Sequence, residues 1–353
     1  MIALAMLALA SCARKEADRT GTIEYVREII SGADSGLQDL VRNYNEADRS
    51  KSIFVAGPMD RSVQVLRTLQ TFDRFDNVDG RIAPDGLPDF SGETVCAVYD
   101  MDFEGVSGNE ALRRAGVRSV LQTMDTTCFV SPYDKSGLGR KPAAKIVLLA
   151  SPQAAVATAD IDTLFTALGC TLPVISPLKL ALERFFARKG APASILVISD
   201  EANASGEAYN ACAALVCKAS GIAASSCFVR AQVSDHPLLD ILNEYSASGA
   251  DKPADLLIID NPEVDPAAVR ADLATIRSVM NEESLLYGNL ISKDFHVADL
   301  GREGAEECYR ALRKQNLFTH KVAYPKVLEY MSVSSPADSI SEMLLQYNPK
   351  YLY

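Results

Sequence analysis

The chain has 353 residues, enough for two domains, and 48% of them are hydrophobic, ample for large cores. A formal net charge of −11 argues against a surface built for nucleic acid or for anionic lipid, so neither is expected as a partner. Trp is absent, which counts against a sugar-stacking site.

Residues 1–12 read MIALAMLALASC, an apolar run leading into Leu9-Ala10-Ser11-Cys12. This resembles the bacterial lipoprotein signal, in which a small residue precedes the cut and a Leu stands three before the acylated Cys. The resemblance implies a signal peptide over 1–11, lipidation of Cys12, and a body anchored in the bacterial cell envelope by palmitate-type acylation. No other stretch approaches the roughly 18 apolar residues of a membrane helix, so the lipid is the only membrane attachment expected. Cys96, Cys128, Cys170, Cys212, Cys217, Cys227 and Cys308 then remain. None shows CxxC or His-paired spacing, so no metal and no cofactor are expected, and most read as small buried hydrophobes. One disulfide would suit an oxidising periplasm, but the spacing does not choose the pair.

Residues 12–51 carry the anchor and two short helices, with Ile23, Val26, Ile29 and Ile30, then Leu37, Leu40 and Val41, at helical period. A first α/β lobe is expected over 52–186. Strands SIFVAG (52–57), VCAVY (95–99), AKIVLLAS (144–151) and LPVIS (172–176) alternate with helices over 60–72, 109–124 and 160–168. PLKLALERFFARKG opens with Pro and closes with Gly, the start and stop signals of a crossover helix. A second lobe is expected over 187–333. Its strands are SILVISD (194–200), SCFVRAQV (226–233), ADLLIID (254–260) and SLLYGNLI (284–291), followed by helices over 206–222, 237–249, 265–280 and 300–316 and an extended return over 320–333. Residues 334–353 form a tail. The fold class is α/β: two Rossmann-like lobes with parallel sheets and a cleft between them.

In such sheets ligands bind beyond the carboxyl ends of the strands. The polar residues that follow each strand are therefore the candidate ligand-binding set: Asp60, Arg61, Asp100, Ser151, Ser176, Asp200, Asn203, Asp260 and Asn261. Arg81 joins them from the long Gly/Pro-rich loop Asp79–Thr94, where it is expected to overhang the cleft and meet an anionic group. Each of these residues could equally cap a helix or turn. Asp100-Met-Asp102 resembles a phosphatase magnesium pair, but Glu104 stands where that pattern has Thr or Val. His236, His296 and His320 are scattered, and no catalytic residue is assigned.

The order of elements resembles the type 1 periplasmic binding protein fold. LPVISP, SILVISDEANASGEAYNACAAL and DLGREGAEECYRALRKQNLFTHKVAYPKVLEYMSV carry the likeness, which implies a hinged cleft for one small polar molecule. A second likeness is local. ASPQAAVATADIDTLFTALGCTLPVISPLKLALERFF with ILVISDEANASGEAY is similar to the aspartate/glutamate racemases, which use a Cys in each lobe as paired acid and base. Where that group has Cys-Asn-Thr this chain has Ser151-Pro152-Gln153, and where it has Gly-Cys-Thr-His this chain has Ile259-Asp260-Asn261-Pro262. The leading reading is an anchored, non-catalytic lipoprotein that binds a small polar molecule. The alternatives are an enzyme on the same scaffold, racemase-like or hydrolase, using acidic residues, or a structural envelope protein.

Overall fold

The structure, a computed structural model, describes residues 21–45, 47–100, 109–131, 134–231, 233–278, 282–319, 323, 325–335 and 338–346. Cys12, Asp102 and His320 lie outside them. The chain forms two α/β units, one made of 1–176 with 305–353 and the other of 177–304.

Unit 1 is built on β1 (Ser52–Gly57), β2 (Thr94–Asp100), β5 (Ala144–Leu149), β6 (Val174–Ile175) and β11 (Lys326–Ser335). These run parallel in the order β11-β2-β1-β5-β6. β1 and β5 are buried along their whole length, as strands covered on both faces must be. One face packs Ile53, Val55, Val95, Ala97, Ile146 and Leu148 beneath α3 (Met59–Thr71) and the end of α12 (Leu300–Lys314). The other packs Phe54, Cys96, Val98 and Val147 beneath α4 (Asn109–Met124) and α6 (Thr158–Leu168).

The two N-terminal helices, α1 (Glu24–Ser31) and α2 (Ser35–Arg42), form as their apolar period predicts. Gly32 ends α1 in the left-handed region (φ 83), and the Asp34 side chain caps α2 at Leu37 N–H. They are part of the core: Ile23, Val26, Ile29 and Val41 are buried against Ile161 and Leu164. Asp160, 1% exposed, fixes the entry by accepting from Ile23 N–H (3.1 Å) and from Arg113 (2.6 Å).

Three strands extend the sheet where no strand was predicted. β3 (Thr127–Ser131) and β4 (Asp134–Arg140) form a hairpin, and β12 (Asp338–Gln346), within the expected tail, pairs antiparallel with β11 and parallel with β3. The order is β4-β3-β12-β11-β2-β1-β5-β6. An edge hairpin such as DKSGLGR lacks the apolar run by which a buried strand announces itself.

Unit 2 is a four-stranded parallel sheet, β10-β9-β7-β8, made of β7 (Ser194–Ser199), β8 (Ser226–Ala231), β9 (Ala254–Asp260) and β10 (Ile291–Asp299). It carries α7 (Pro177–Lys189), α8 (Glu207–Ala219), α9 (Pro237–Ala247) and α10 (Pro266–Arg277). The strand expected over 284–291 is instead a short helix, α11 (Glu282–Tyr287), and the strand follows it. Acidic residues in its first turn favour the helix. ISKDFHVAD escapes an apolar-run search because an edge strand covered on one side needs few apolar residues.

The division between units falls at 176/177, so the expected boundary at 186/187 lies inside α7. The return segment expected in the second lobe belongs to unit 1. The split falls within α12 between Gly304 and Ala305, and β11 completes the first sheet beside β2, Val327 opposite Val95 and Tyr330 opposite Val98.

Candidate functional site

The carboxyl edge of the unit 1 sheet collects buried polar side chains on neighbouring strands. Ser332 on β11 lies level with Asp100 at the end of β2. β1 ends at Gly57 (φ 152), where an added Cβ would stand 3.3 Å from the Ala150 Cβ, so only Gly lets β1 and β5 close this tightly. Pro58 then starts α3, which carries Asp60 and Arg61 in its first turn. Asp60 is exposed, whereas the Arg61 side chain is drawn in to 5% exposure. Ser151 follows β5 and caps the short helix Pro152–Ala155, its Oγ accepting from Ala154 N–H (3.1 Å). Ser176 follows β6 and is also buried. Arg61, Asp100, Ser151 and Ser176 are thus brought to one edge.

Asp100 is committed to the fold. It is fully buried, with both oxygens 2.8 Å from Arg118 Nη2 and one accepting from Ser119 Oγ at 2.6 Å. An ion pair this enclosed fixes α4 against β2, and a ligand would have to displace Arg118 to reach it. Arg118 and Ser119 could not be found from sequence, because nothing in α4 marks which of its residues face the strand end.

The carboxyl edge of unit 2 is acidic. Asp200 Oδ1 accepts from the Asn203 backbone (3.0 Å) and side chain (2.8 Å), closing a single 3-10 turn. Asn261 donates to Ser199 O (2.9 Å) and accepts from Glu263 N–H (2.9 Å), tying β9 to β7. Asp260 accepts from the phenol of Tyr209, whose residue is fully buried on α8, at 2.5 Å. Two residues here were outside the predicted set, Tyr209 and Asp299. Asp299 ends β10 and caps α12 at Arg302 N–H (3.2 Å). Burial pushes its carboxyl above the usual range, against the opposing pull of the Arg302 amide and Arg270. It was missed because its strand was placed seven residues too early.

Arg81 does not belong to either edge. The connection that carries it runs from the end of α3 to the start of β2, and a helix-to-strand connection of a parallel sheet lies at the amino edge, opposite the ligand edge. Contacts agree: Gly92 N–H bonds Ala323 O, and Lys326 N–H bonds Glu93 O. The loop is held by its own aspartates. Asp89 accepts from Arg74 and Phe75, Asp73 from Asp85 and Gly86, Asp76 from Val78 and Asp79, and Asp85 from Asn77 and Leu87. Arg313 reaches across to Asp79 O. The Arg81 side chain is 84% exposed and pairs at 3.3 Å with Asp79, its neighbour in the same turn. Arg81 is a surface residue of a self-capped loop.

The thiols are equally clear of both edges. Cys96 and Cys128 lie within strands, Cys170 lies before β6, Cys212 and Cys217 lie on α8, Cys227 is the second residue of β8, and Cys308 is on α12. All are reduced, and all but Cys227 are buried. Burial pushes Cys96, Cys212 and Cys227 up to about 12, and raises Cys128 and Cys308 as well. These are poor acids and nucleophiles near neutral pH. Among the described residues no group of His, Cys, Asp or Glu side chains is set to hold a metal ion, and no helix is long and apolar enough to cross a membrane.

No family model matches the chain, and no curated protein matches it. Solved structures similar to it include racemases. Glutamate racemase from Francisella tularensis in complex with D-glutamate is 13% identical, with 81% of this chain and 89% of that chain covered and a TM-score of 0.47. Glutamate racemase from Thermus thermophilus is 14% identical over 82% and 91%, with a TM-score of 0.43. Aspartate racemase from Picrophilus torridus is 12% identical over 76% and 99%, with a TM-score of 0.33. The periplasmic receptor likeness finds no support among these structures. Likenesses this distant say nothing of what the chain binds or catalyses; the two α/β units stand on their own topology.

Proposed function

We propose that the protein binds a small polar molecule at the carboxyl edge of the unit 1 sheet. The observation that supports this reading is the set Arg61, Ser151 and Ser176, polar residues about 95% buried just beyond the carboxyl ends of the adjacent strands β1, β5 and β6. Polar side chains gathered beyond the carboxyl ends of neighbouring parallel strands are what recognition of a small polar molecule requires. A thermal-shift screen of metabolites, run with and without divalent metal, tests it. A stabilising compound whose effect falls about 10- to 150-fold in affinity with Arg61→Gln, the range of one charged hydrogen bond, supports the site. Ser176→Ala is the milder companion. Hits indifferent to both substitutions would overturn it.

A second reading, an enzyme on this scaffold, is favoured by one observation. Unit 2 carries two carboxylates in unlike settings, Asp260 held by the Tyr209 phenol and Asp299 raised by burial. Unlike carboxylates are the raw material of acid–base catalysis by oxygen groups. Thiol chemistry of the racemase kind is not part of this reading, because Ser151 and Asp260-Asn261 stand where that resemblance puts its cysteines. Binding with the compound recovered chemically unchanged after long incubation would leave the receptor reading and remove the enzyme.

The envelope address belongs to the same proposal. It is supported by Leu9-Ala10-Ser11-Cys12. Cys12→Ser should abolish labelling by radioactive palmitate, and labelling that persists would refute it.

A further inference from the structure

The first turn of α3 holds hydrogen-bond donors that the fold does not use. β1 leads into it through Gly57 and Pro58, so the turn stands at the carboxyl end of that strand. Pro58 is extended (ψ 150) and offers no side chain to cap the helix. Ser62 N–H bonds Pro58 O, but the N–H groups of Met59 and Asp60 have no acceptor among the described residues. Free amides at the start of a 13-residue helix favour an anion, although water could serve them equally. Ser62 supplies the independent observation. It is fully buried, and its Oγ has no hydrogen-bond partner. Ser62 stands one turn before Leu66 and two before Leu69, which lie in the core that α3 shares with Val55, Ala97 and Tyr99 of β1 and β2. Helical side chains lean toward the helix N-terminus, so a hydroxyl on this face leans toward the carboxyl ends of those strands. An orphaned hydroxyl in that place costs stability until something meets it. Arg61 adds a guanidinium to the same turn, 5% exposed. Asp60 is the opposing charge, an exposed carboxylate one residue away.

We propose that this turn holds a phosphate group of the ligand, with the Met59 and Asp60 amides, the Ser62 hydroxyl and the Arg61 guanidinium as its donors. The assignment rests on the reading that the carboxyl edge of unit 1 binds a small polar molecule, and it narrows that molecule to a phosphorylated one. Amides directed along the helix axis and a hydroxyl on its core face approach from two directions. That spread suits the three tetrahedrally arranged oxygens of a phosphate monoester better than the two coplanar oxygens of a carboxylate. The guanidinium fork pairs with phosphate oxygens bidentately, and the helix dipole favours the negative charge. Asp60 works against the anion, so its removal should tighten binding while removal of the Ser62 hydroxyl weakens it.

The test is calorimetric titration of the intact chain with inorganic phosphate at neutral pH and constant ionic strength, with acetate as the carboxylate control. Phosphate should bind, and acetate should not displace it. Ser62→Ala should weaken phosphate about tenfold or more, the range of a hydrogen bond to a charged group. The free Ser62→Ala protein should melt no lower than the unsubstituted one, because the change removes an orphaned hydroxyl. Asp60→Asn, at an exposed position that the fold does not depend on, should tighten phosphate. No phosphate binding, acetate bound as tightly, or an affinity indifferent to both substitutions would overturn the assignment. A metabolite without phosphate that loses affinity with Ser176→Ala but not with Ser62→Ala would overturn it too, and would leave the edge site standing. Hits indifferent to Arg61→Gln and Ser176→Ala remove the edge site itself, and the phosphate assignment with it.

Discussion

Glu93→Gln tests what holds unit 1 together at the edge opposite the proposed ligand site. Glu93 and Lys145 are both fully buried, 2.5 Å apart, at the starts of β2 and β5. Glu93 Oε1 also accepts from Thr319 N–H (2.7 Å), and Lys145 Nζ also donates to Leu317 O (2.8 Å). The pair therefore fastens the segment that leads from α12 toward β11. Removing the carboxylate leaves an ammonium with carbonyls but no counter-charge, which typically costs about 3–5 kcal/mol. Two units need not unfold together, so a global melting curve is the wrong assay. Amide exchange within β2 and β5 reads unit 1 directly. Protection there should fall by about two to three and a half orders of magnitude, while β7 and β9 in unit 2 keep theirs. Glu93→Leu with Lys145→Met should recover only part of the loss, because Thr319 N–H and Leu317 O then lose their partners. If Glu93→Gln shifts β2 and β5 by less than about 1 kcal/mol, a typical single-mutation effect, the buried pair is not the fastening inferred here.

Lys141, 4% exposed and donating to Thr123 O and Asp125 O at the end of α4, is pushed by burial from 10.5 down to about 8. The unfolded chain holds the proton longer, so unit 1 should gain roughly 3 kcal/mol between pH 8 and 10.5; in Lys141→Met that slope should vanish, and an equal slope in both proteins would refute it. His236 Nδ1–H donates to Asp272 Oδ1 at 2.9 Å, and that bond raises the imidazole above 6.5. Its stabilising contribution is full below pH 6.5 and is lost as pH rises through the raised value. Ring titration by NMR should show the His236 midpoint falling in Asp272→Asn; an unchanged midpoint would sink the pairing. Arg81→Ala should change stability by less than about 0.5 kcal/mol, as expected for an exposed pair, and leave ligand affinity untouched; a tenfold loss of affinity would restore it to a binding role.

The sequence by itself determined the alternation of elements and hence the α/β class. Strands such as SIFVAG and ADLLIID are buried on both faces and must be apolar throughout, so they are visible without a structure. Helices with a buried apolar stripe, such as Asn109–Met124 and Pro237–Ala247, are visible for the same reason. The carboxyl-edge candidates Arg61, Ser151, Ser176, Asp200 and Asp260 followed from strand ends alone, because chain direction in a parallel sheet fixes which end of each strand faces the ligand edge. Tertiary structure decided the rest. It gave β11 to the first sheet and hid Lys145 behind Glu93 in a strand that reads as apolar. It matched Asp100 with Arg118, and Asp260 with Tyr209. It also placed Arg81 on the far edge, although the composition of its loop looked functional. Each of these depends on a partner distant in sequence, from 18 residues for Asp100 and Arg118 to more than 200 for β2 and β11. Periodicity reports only which side of a residue is buried; it carries no information about what lies against that side.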